Sequence, residues 1–288
     1  MAIQKIPGAR IGRREMLLRA AALFALKPAF AQNATTLTAT PSETEGPYWV
    51  DEQLNRADLA LDPSDNSVQL GFPLVLNVTV SQLVDGAAVP VPGAVVDLWH
   101  CNATGIYSDT AAQRTTGRKF LRGYQVSDAK GFVQYLTVYP GWYSGRAVHI
   151  HARVRLYGAD QTTPTTNFTT QFFFDDNTTD QVHQLAPYNE RGARDTRNSA
   201  DSIYNTPDCI TAATAGSETN LNLTSDTTHA VGAFNVLLDL SPNAVTCPGS
   251  GPGAGGPGGP GPGGPGGPGG PRGGLAFIQG PGRLWTRG

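Results

Sequence analysis

The residues best suited to chemistry lie between Tyr135 and Leu156, in the stretch YLTVYPGWYSGRAVHIHARVRL. From Val148 onward apolar and polar residues alternate, which is the pattern of a half-buried β-strand. His149 and His151 fall on one face of that strand, with backbones about 7 Å apart, so both imidazoles can reach one point. This spacing predicts a metal site, and a polar, solvated strand face is the alternative.

Turn residues just before this strand bring further polar groups to the same place. The dipeptides Pro140-Gly141 and Ser144-Gly145 are typical of turns, and they fold Tyr143 and Arg146 back towards the histidines. A phenol has a reference pKa of about 10, so it binds only a cation that can displace its proton. The stretch offers no additional Cys, His or carboxylate for a zinc or Fe(II) site. Because two phenolates and a hydroxide would neutralise a trivalent cation, the donors indicate Fe(III) and a second tyrosine.

The elements that must position these residues are predicted to be strands. The 288 residues include 35 Gly and 22 Pro but only 2 Met, and short apolar runs separate frequent turn signals. We predict an all-β fold, an antiparallel β-sandwich core with long loops that carry the metal site. The predicted strands cover 74–83, 95–100, 122–126, 132–138, 148–156, 168–174 and 233–240. Segment 89–93 follows a turn at Asp85-Gly86, and 181–230 is predicted as one short helix and long loops.

The first 31 residues have the layout of an export signal. Arg13-Arg14 precede an apolar run over 16–26, and a small-residue cleavage site ends at Ala31. The paired arginines, modest hydrophobicity and late Lys27 favour the bacterial twin-arginine route. Since about 20 unbroken apolar residues are needed to cross a membrane, we expect no membrane span. The expected location is the periplasm or the extracellular space.

Charge and composition limit the partners of the remaining chain. Without residues 1–31 it has 15 Lys and Arg against 22 Asp and Glu, so nucleic acid is not an expected partner. The tract that starts at Pro248 is almost entirely Gly and Pro and cannot pack a core. We therefore predict a signal peptide over 1–31, one sandwich domain over 32–247 and a disordered tail over 248–288.

The three cysteines form no C-x-x-C motif. In an oxidising compartment, Cys101, Cys209 and Cys247 predict one disulfide and one free thiol. Three pairings are open, and for Cys101 a disulfide is expected rather than a bond to metal.

Four segments of the chain together resemble the intradiol ring-cleavage dioxygenases, which include protocatechuate 3,4-dioxygenase and the catechol 1,2-dioxygenases. The segments are TPSETEGPYW (40–49), VPGAVVDLWHCNATGIYSD (91–109), FLRGYQVSDAKGFVQYLTVYPGWYSGRAVHIH (120–151) and TQFFFDD (170–176). The resemblance covers about residues 40–240 and implies a β-sandwich with iron among loops at its edge. It also implies four iron ligands, namely Tyr107, Tyr143, His149 and His151.

The same resemblance implies roles for residues around the metal. Arg146 would stabilise charge on the substrate, with Gln171 beside it, and Tyr143 would also accept a proton. Three further residues would wall the substrate pocket, namely Pro47, Tyr48 and Ile106. The implied reaction is Fe(III)-dependent cleavage of a catechol-type ring by O2 to a cis,cis-muconate-type product. The small-molecule catechol and O2 are thus the expected partners.

Two departures from the family and two other functions stay open. The protocatechuate enzymes bind the substrate carboxylate with basic residues, whereas here the residue before Tyr107 is Ile106. The catechol 1,2-dioxygenases have a long helical N-terminal region for dimerisation, and residues 32–70 are too short and polar to form one. The choice of catechol and the oligomeric state are therefore left open. A non-catalytic, transthyretin-like module that binds aromatics or carbohydrate is one alternative. A copper or zinc enzyme that uses His-x-His is the other.

Overall fold

The computed structural model of the chain describes residues 37–160, 162–211, 213–242 and 244. The predicted signal peptide (1–31) and the predicted tail (248–288) lie outside these described residues. Within the described part, no helix is both long enough and apolar enough to cross a membrane.

Nine strands and a few short helices make up the described part of the chain. The strands are β1 (Pro73–Val84), β2 (Ala87–Pro90), β3 (Val95–Trp99), β4 (Arg122–Val126), β5 (Phe132–Val138), β6 (His149–Tyr157), β7 (Pro164–Phe173), β8 (Asn222–Ser225) and β9 (Ala230–Leu238). The α-helices are α1 (Asp176–Val182) and α2 (Ala215–Glu218), and single 3-10 turns cover Ala111–Gln113, Tyr188–Arg191 and Asn198–Ala200.

The strands form two sheets. One sheet has the order β4-β3-β6-β7 and is antiparallel throughout. The other has the order β2-β1-β9-β8, with β5 also paired to β1. The predicted all-β sandwich is confirmed, but β1 and β9 run parallel, so the second sheet is mixed rather than antiparallel.

Apolar side chains from both sheets form the main core. Leu76 and Val78 of β1 are buried with Val96 of β3 and Ile150 of β6. Burial of each such side chain contributes about 1.5–3 kcal/mol. The alternation in β6 thus sends one face of the strand into this core. Its other face is also buried, because His149 is 2% and His151 is 1% exposed, and the alternative of a solvated histidine face is therefore wrong.

Strand predictions succeed where alternation and turns are both strong. Strands β4 and β5 have the predicted bounds, and Asp85-Gly86 forms the two-residue turn between β1 and β2, with φ of 50° and 78°. Strand β7 begins at Pro164, before the predicted residue 168. Strand β8 was not predicted, since its sequence NLTS is polar and short.

An irregular segment before β1 lies across both sheets. The backbone amide of Thr40 donates to the carbonyl of Leu237 in β9, and that of Glu43 donates to Thr169 in β7. These bonds order a polar stretch that its composition alone does not mark as structured. They also bring the following residues, 46–49, to the edge of the sheet that contains β6.

The buried hydroxyl of Tyr188 links two backbone segments, and its removal tests how much this link stabilises the fold. It accepts from the Phe72 amide at 2.8 Å and donates to the Tyr139 carbonyl at 2.7 Å. Tyr188→Phe leaves both buried groups unpaired, so the free energy of unfolding should fall by about 1–3 kcal/mol in urea titrations.

Tyr124→Phe is the matched control for that substitution. The Tyr124 hydroxyl makes no hydrogen bond within the described residues, and its loss should change stability by about 0.5 kcal/mol or less. Equal losses in the two variants would show that the Tyr188 hydroxyl does not stabilise the fold.

Candidate metal centre

Strand β6 and the two loops beside it supply the four predicted donor residues. Pairing of β6 with β3 and β7 places His151 opposite Trp99 on one side and Gln171 on the other. The loop between β3 and β4 carries Tyr107, and the loop between β5 and β6 carries Tyr143. All four donors therefore lie at the start of β6 or in the two loops beside it.

The loop that carries Tyr107 packs directly against the loop that carries Tyr143. The Asn102 side chain accepts the Ile106 amide at 3.0 Å and so shapes the turn before Tyr107. Gly105 has φ of +77°, and a Cβ there would lie 2.1 Å from the Trp142 carbonyl oxygen. Only glycine allows this approach, which brings the loop of Tyr107 against the loop that contains Trp142.

The four donors form one cluster. The Tyr143 hydroxyl lies 3.2 Å from Nε2 of His149, which lies 3.1 Å from Nε2 of His151. The Tyr107 ring is 5.7 Å from the Tyr143 ring and 6.3 Å from the His151 ring, measured between centroids. The structure thus brings together every residue that the sequence predicts as a ligand.

Hydrogen bonds around the donors leave several of their atoms available. Nδ1 of His149 lies 2.7 Å from the Ala147 carbonyl, so this nitrogen is the donor and Nε2 carries the lone pair. The Tyr107 hydroxyl and His151 Nδ1 are buried and have no hydrogen-bond partner within the described residues. Such orphaned groups are rare in proteins, and an orphaned phenol oxygen beside imidazole nitrogens suits a cation.

Burial holds all four donors neutral. Desolvation raises the pKa of Tyr107 well above its ordinary value, and it raises the pKa of Tyr143 to about 12 against the opposing charge of Arg146. Desolvation lowers the pKa of both histidines well below the ordinary value. A cation that binds both phenols must displace two protons, which demands high charge density. The donor set therefore fits a trivalent metal ion.

Aromatic rings from two segments enclose the donors. Tyr48 stacks on Tyr107 with centroids 4.4 Å apart, and Trp99 stacks on His151 at 4.8 Å. Gly46 lies against the same imidazole, since a Cβ there would be 3.3 Å from Cε1 of His151. The segment of residues 46–49 thus covers one side of the cluster, and within it Pro47 is exposed.

Arg146 lies beside the cluster and is held from two sides. Its Nε donates to Asp201 at 2.9 Å, and its Nη2 donates to the side-chain oxygen of Gln171 at 2.6 Å. Gln171 in turn donates to the Thr44 carbonyl. The two residues that the sequence analysis pairs are therefore in contact, whereas Asp201 carries no motif that could have pointed to it.

A buried arginine that the sequence analysis did not select links the wall to a ligand loop. Arg122 is 2% exposed and donates to the Tyr48 carbonyl at 2.6 Å and to the Ser108 carbonyl at 2.7 Å. It therefore fixes Tyr48 relative to the residue after Tyr107. In the sequence Arg122 is a polar residue at the start of a predicted strand, and no motif there indicates that it contacts the site.

Ile106, predicted to wall the substrate pocket, packs away from the ring cluster. It lies against the small apolar cluster that contains Phe120, Leu121 and Val138. Its role towards a substrate stays a prediction.

Cys101 does not form the expected disulfide. It is a free, buried thiol whose Sγ donates to the Gly141 carbonyl at 3.4 Å, and burial raises its pKa to about 12. Cys209 is disulfide-bonded. The prediction for Cys101 is wrong because its position at the end of β3 faces the protein interior, and this excludes the two pairings that include Cys101.

Glu43 is a buried acid close to the centre. It is 4% exposed, and its Oε2 has no hydrogen-bond partner within the described residues. Desolvation raises its pKa well above the ordinary value, although the Arg146 charge acts in the opposite direction. The folded protein thus holds the Glu43 proton more tightly than the unfolded chain does.

This shift predicts a dependence of stability on pH. The contribution of Glu43 is complete below its unfolded pKa and is lost as pH rises towards its folded pKa. Relative to Glu43→Gln, the wild type should lose up to about 1.4 kcal/mol of unfolding free energy per pH unit above about pH 4.5. Urea titrations of both proteins across that range measure this, and a constant difference would show that Glu43 does not titrate.

Comparisons with known proteins agree with the geometry. A family profile described as "Dioxygenase" matches residues 44–182, a range that contains all four donors. Catechol 1,2-dioxygenase of Pseudomonas sp. (strain EST1001) is 32% identical over 104 residues, which are 36% of this chain and 32% of that protein. The chain thus matches about a third of the length of this curated relative.

Solved structures extend the likeness to about 70% of the chain. An intradiol ring-cleavage dioxygenase from Tetranychus urticae is 25% identical with a TM-score of 0.58, over 70% of this chain and 95% of that one. The dioxygenase domain of a dioxygenase carbohydrate-binding protein fusion from Streptomyces sp. SirexAA-E is 24% identical with a TM-score of 0.50, over 71% and 100%. The second likeness is one of fold alone.

Proposed function

We propose that the chain belongs to the intradiol ring-cleavage dioxygenases and uses O2 to cleave a catechol-type ring between its two hydroxyl-bearing carbons. The dioxygenase profile over residues 44–182 and the likeness to the Tetranychus urticae enzyme support this proposal. The product is a cis,cis-muconate-type dicarboxylic acid. One observation carries this proposal, namely the convergence of Tyr107, Tyr143, His149 and His151 in one desolvated cluster.

The cofactor that suits this cluster is Fe(III). Two phenolates would balance two of its three positive charges, and a hydroxide would balance the third. When bound, the ferric ion would supply Lewis acidity, which would favour the catechol as a dianion and so make its ring more reactive towards O2. His149 supports this assignment, because its bond to the Ala147 carbonyl directs Nε2 into the cluster.

The two tyrosines are suited to different tasks. Tyr107 is fully buried and stacked on Tyr48, so it has little freedom to move and would stay a ligand throughout. Tyr143 is partly exposed, on a loop that ends at Gly145 with φ of +85°. It is the ligand that would leave and accept one of the two protons that the catechol must lose.

The remaining predicted residues would act on the substrate itself. Arg146 carries a positive charge next to the donors, where it would stabilise negative charge that develops on the ring. Gln171 would orient that guanidinium. Tyr48, packed against the rings of Tyr107 and Tyr143, is the best supported wall residue. Pro47 and Ile106 stay predictions as wall residues, since Pro47 is exposed and Ile106 packs against the cluster of Phe120, Leu121 and Val138.

The colour of the purified protein tests this function directly. Ferric tyrosinate absorbs in the visible range, so the protein should be red-brown, contain one iron per chain and consume O2 with catechol. Product analysis should give the muconate-type acid. A colourless protein that binds catechol without O2 uptake would instead be a binding module, and stoichiometric copper or zinc would identify a different metalloenzyme.

Phenylalanine variants test the separate roles of the tyrosines. Tyr107→Phe removes a charge that a ferric site needs at all times, so iron content and activity should fall together. Tyr143→Phe should keep iron but shift the visible band. Because one proton acceptor is lost, stopped-flow binding of catechol should slow by about 10²–10⁴-fold.

Each variant is the control for the other. Equal loss of iron in both variants, or a normal rate of catechol binding to Tyr143→Phe, would show that the roles are assigned wrongly even if the reaction is correct.

A further inference from the structure

We propose that Asp201 is the positioning residue that holds Arg146 in its working orientation. Asp201 follows the 3-10 turn Asn198–Ala200 and is 0% exposed. It lies outside residues 44–182, so the family match does not reach it. The proposal rests on the function assigned to Arg146 above.

The Asp201 carboxylate is saturated with hydrogen bonds. Oδ2 accepts from Nε of Arg146 at 2.9 Å and from the Ala147 amide at 2.7 Å. Oδ1 accepts from the amides of Ile203 at 2.7 Å and Tyr204 at 3.1 Å. Since an ionised carboxylate offers about four acceptor positions, none is left for solvent. One side chain thus anchors its own loop and the Arg146 loop together.

The paired contacts fix both ends of the Arg146 side chain. One oxygen binds the side-chain Nε and also the next backbone amide, so the arginine cannot rotate without breaking a bond to the same atom. Gln171 binds Nη2, which lies on the same edge of the guanidinium. Nη1 makes no hydrogen bond within the described residues, and the side chain is 18% exposed. That group therefore remains available to face a substrate.

The negative charge of Asp201 is essential to these contacts, and a neutral amide of the same shape would not replace it. Arg146 and Asp201 form a buried ion pair, and a buried charge that loses its partner is strongly destabilised. In Asp201→Asn, an oxygen kept towards Ile203 and Tyr204 would leave the amide NH2 facing two N–H donors. The guanidinium should then leave its place and become accessible to solvent.

Chemical labelling of Arg146 tests the position without any enzyme assay. Phenylglyoxal modification of Arg146, followed by peptide mass spectrometry, should be about tenfold or more faster in Asp201→Asn, because a charge-assisted hydrogen bond is lost. Asp195→Asn is the matched control. Asp195 accepts the Gly145 amide of the same loop at 3.2 Å, but it is exposed and makes no hydrogen bond to Arg146 within the described residues. Labelling should therefore not change.

A double-mutant cycle in the iron-loaded protein tests whether Asp201 acts through Arg146. Asp201→Asn should keep the iron content and lower kcat/KM by about 100-fold, the effect of a misplaced catalytic group. In an Arg146→Gln background the same change should cost about twofold or less, because the coupled partner is already absent. A merely structural role would lower activity equally in both backgrounds.

The outcomes separate this inference from the proposed function. Unchanged labelling in Asp201→Asn, or equal losses in the cycle, would overturn the role of Asp201. If the wild type cleaves no catechol, the proposed function fails while the labelling still decides whether Asp201 holds Arg146. Should Asp201→Asn fail to fold, Asp201→Glu takes its place, because it keeps the charge but displaces the carboxylate. Arg146 should then be labelled faster than in the wild type, and an unchanged rate would overturn the proposal.

Discussion

Desolvation of four polar side chains in one cluster is the constraint on which the site depends. Two phenols and two imidazoles share a largely buried volume, and desolvation favours the uncharged form of each. Neutral donors at this density have too few partners among themselves, as the orphaned Tyr107 hydroxyl shows. A highly charged cation, as proposed above, would resolve this conflict, because it would accept the donors' lone pairs and replace the two phenol protons.

The fold forms this cluster by placing two loops and the segment before β1 against the histidines of strand β6. Strand β6 buries both faces, so its apolar side joins the core while its histidines meet the loops of Tyr107 and Tyr143. The segment before β1 then closes the cluster with an aromatic wall. Arg122 ties that wall to the backbone beside Tyr107. The proposed metal donors and the aromatic wall are thus held by one continuous set of contacts.

Charges around the centre are arranged asymmetrically. Arg146 is paired with the buried Asp201 on one edge, while desolvation opposes ionisation of the nearby Glu43. The pKa of Glu43 is raised by desolvation, and this weakens its competition with Asp201 for the charge of Arg146. The guanidinium can then be held by one carboxylate and directed by Gln171, which is the arrangement needed for a fixed positive charge next to a reacting ring.

The sequence by itself determined the β architecture, the strands β4 and β5, and the grouping of His149, His151 and Tyr143, because alternation and turn residues act over a few neighbouring positions. Resemblance to a family added Tyr107 and Gln171. Tertiary structure alone decided that β1 and β9 run parallel, that Cys101 stays a buried thiol and that Asp201 grips Arg146. Each of these features depends on contacts between residues far apart in the chain. A local pattern of residue types does not predict which distant groups will be buried together.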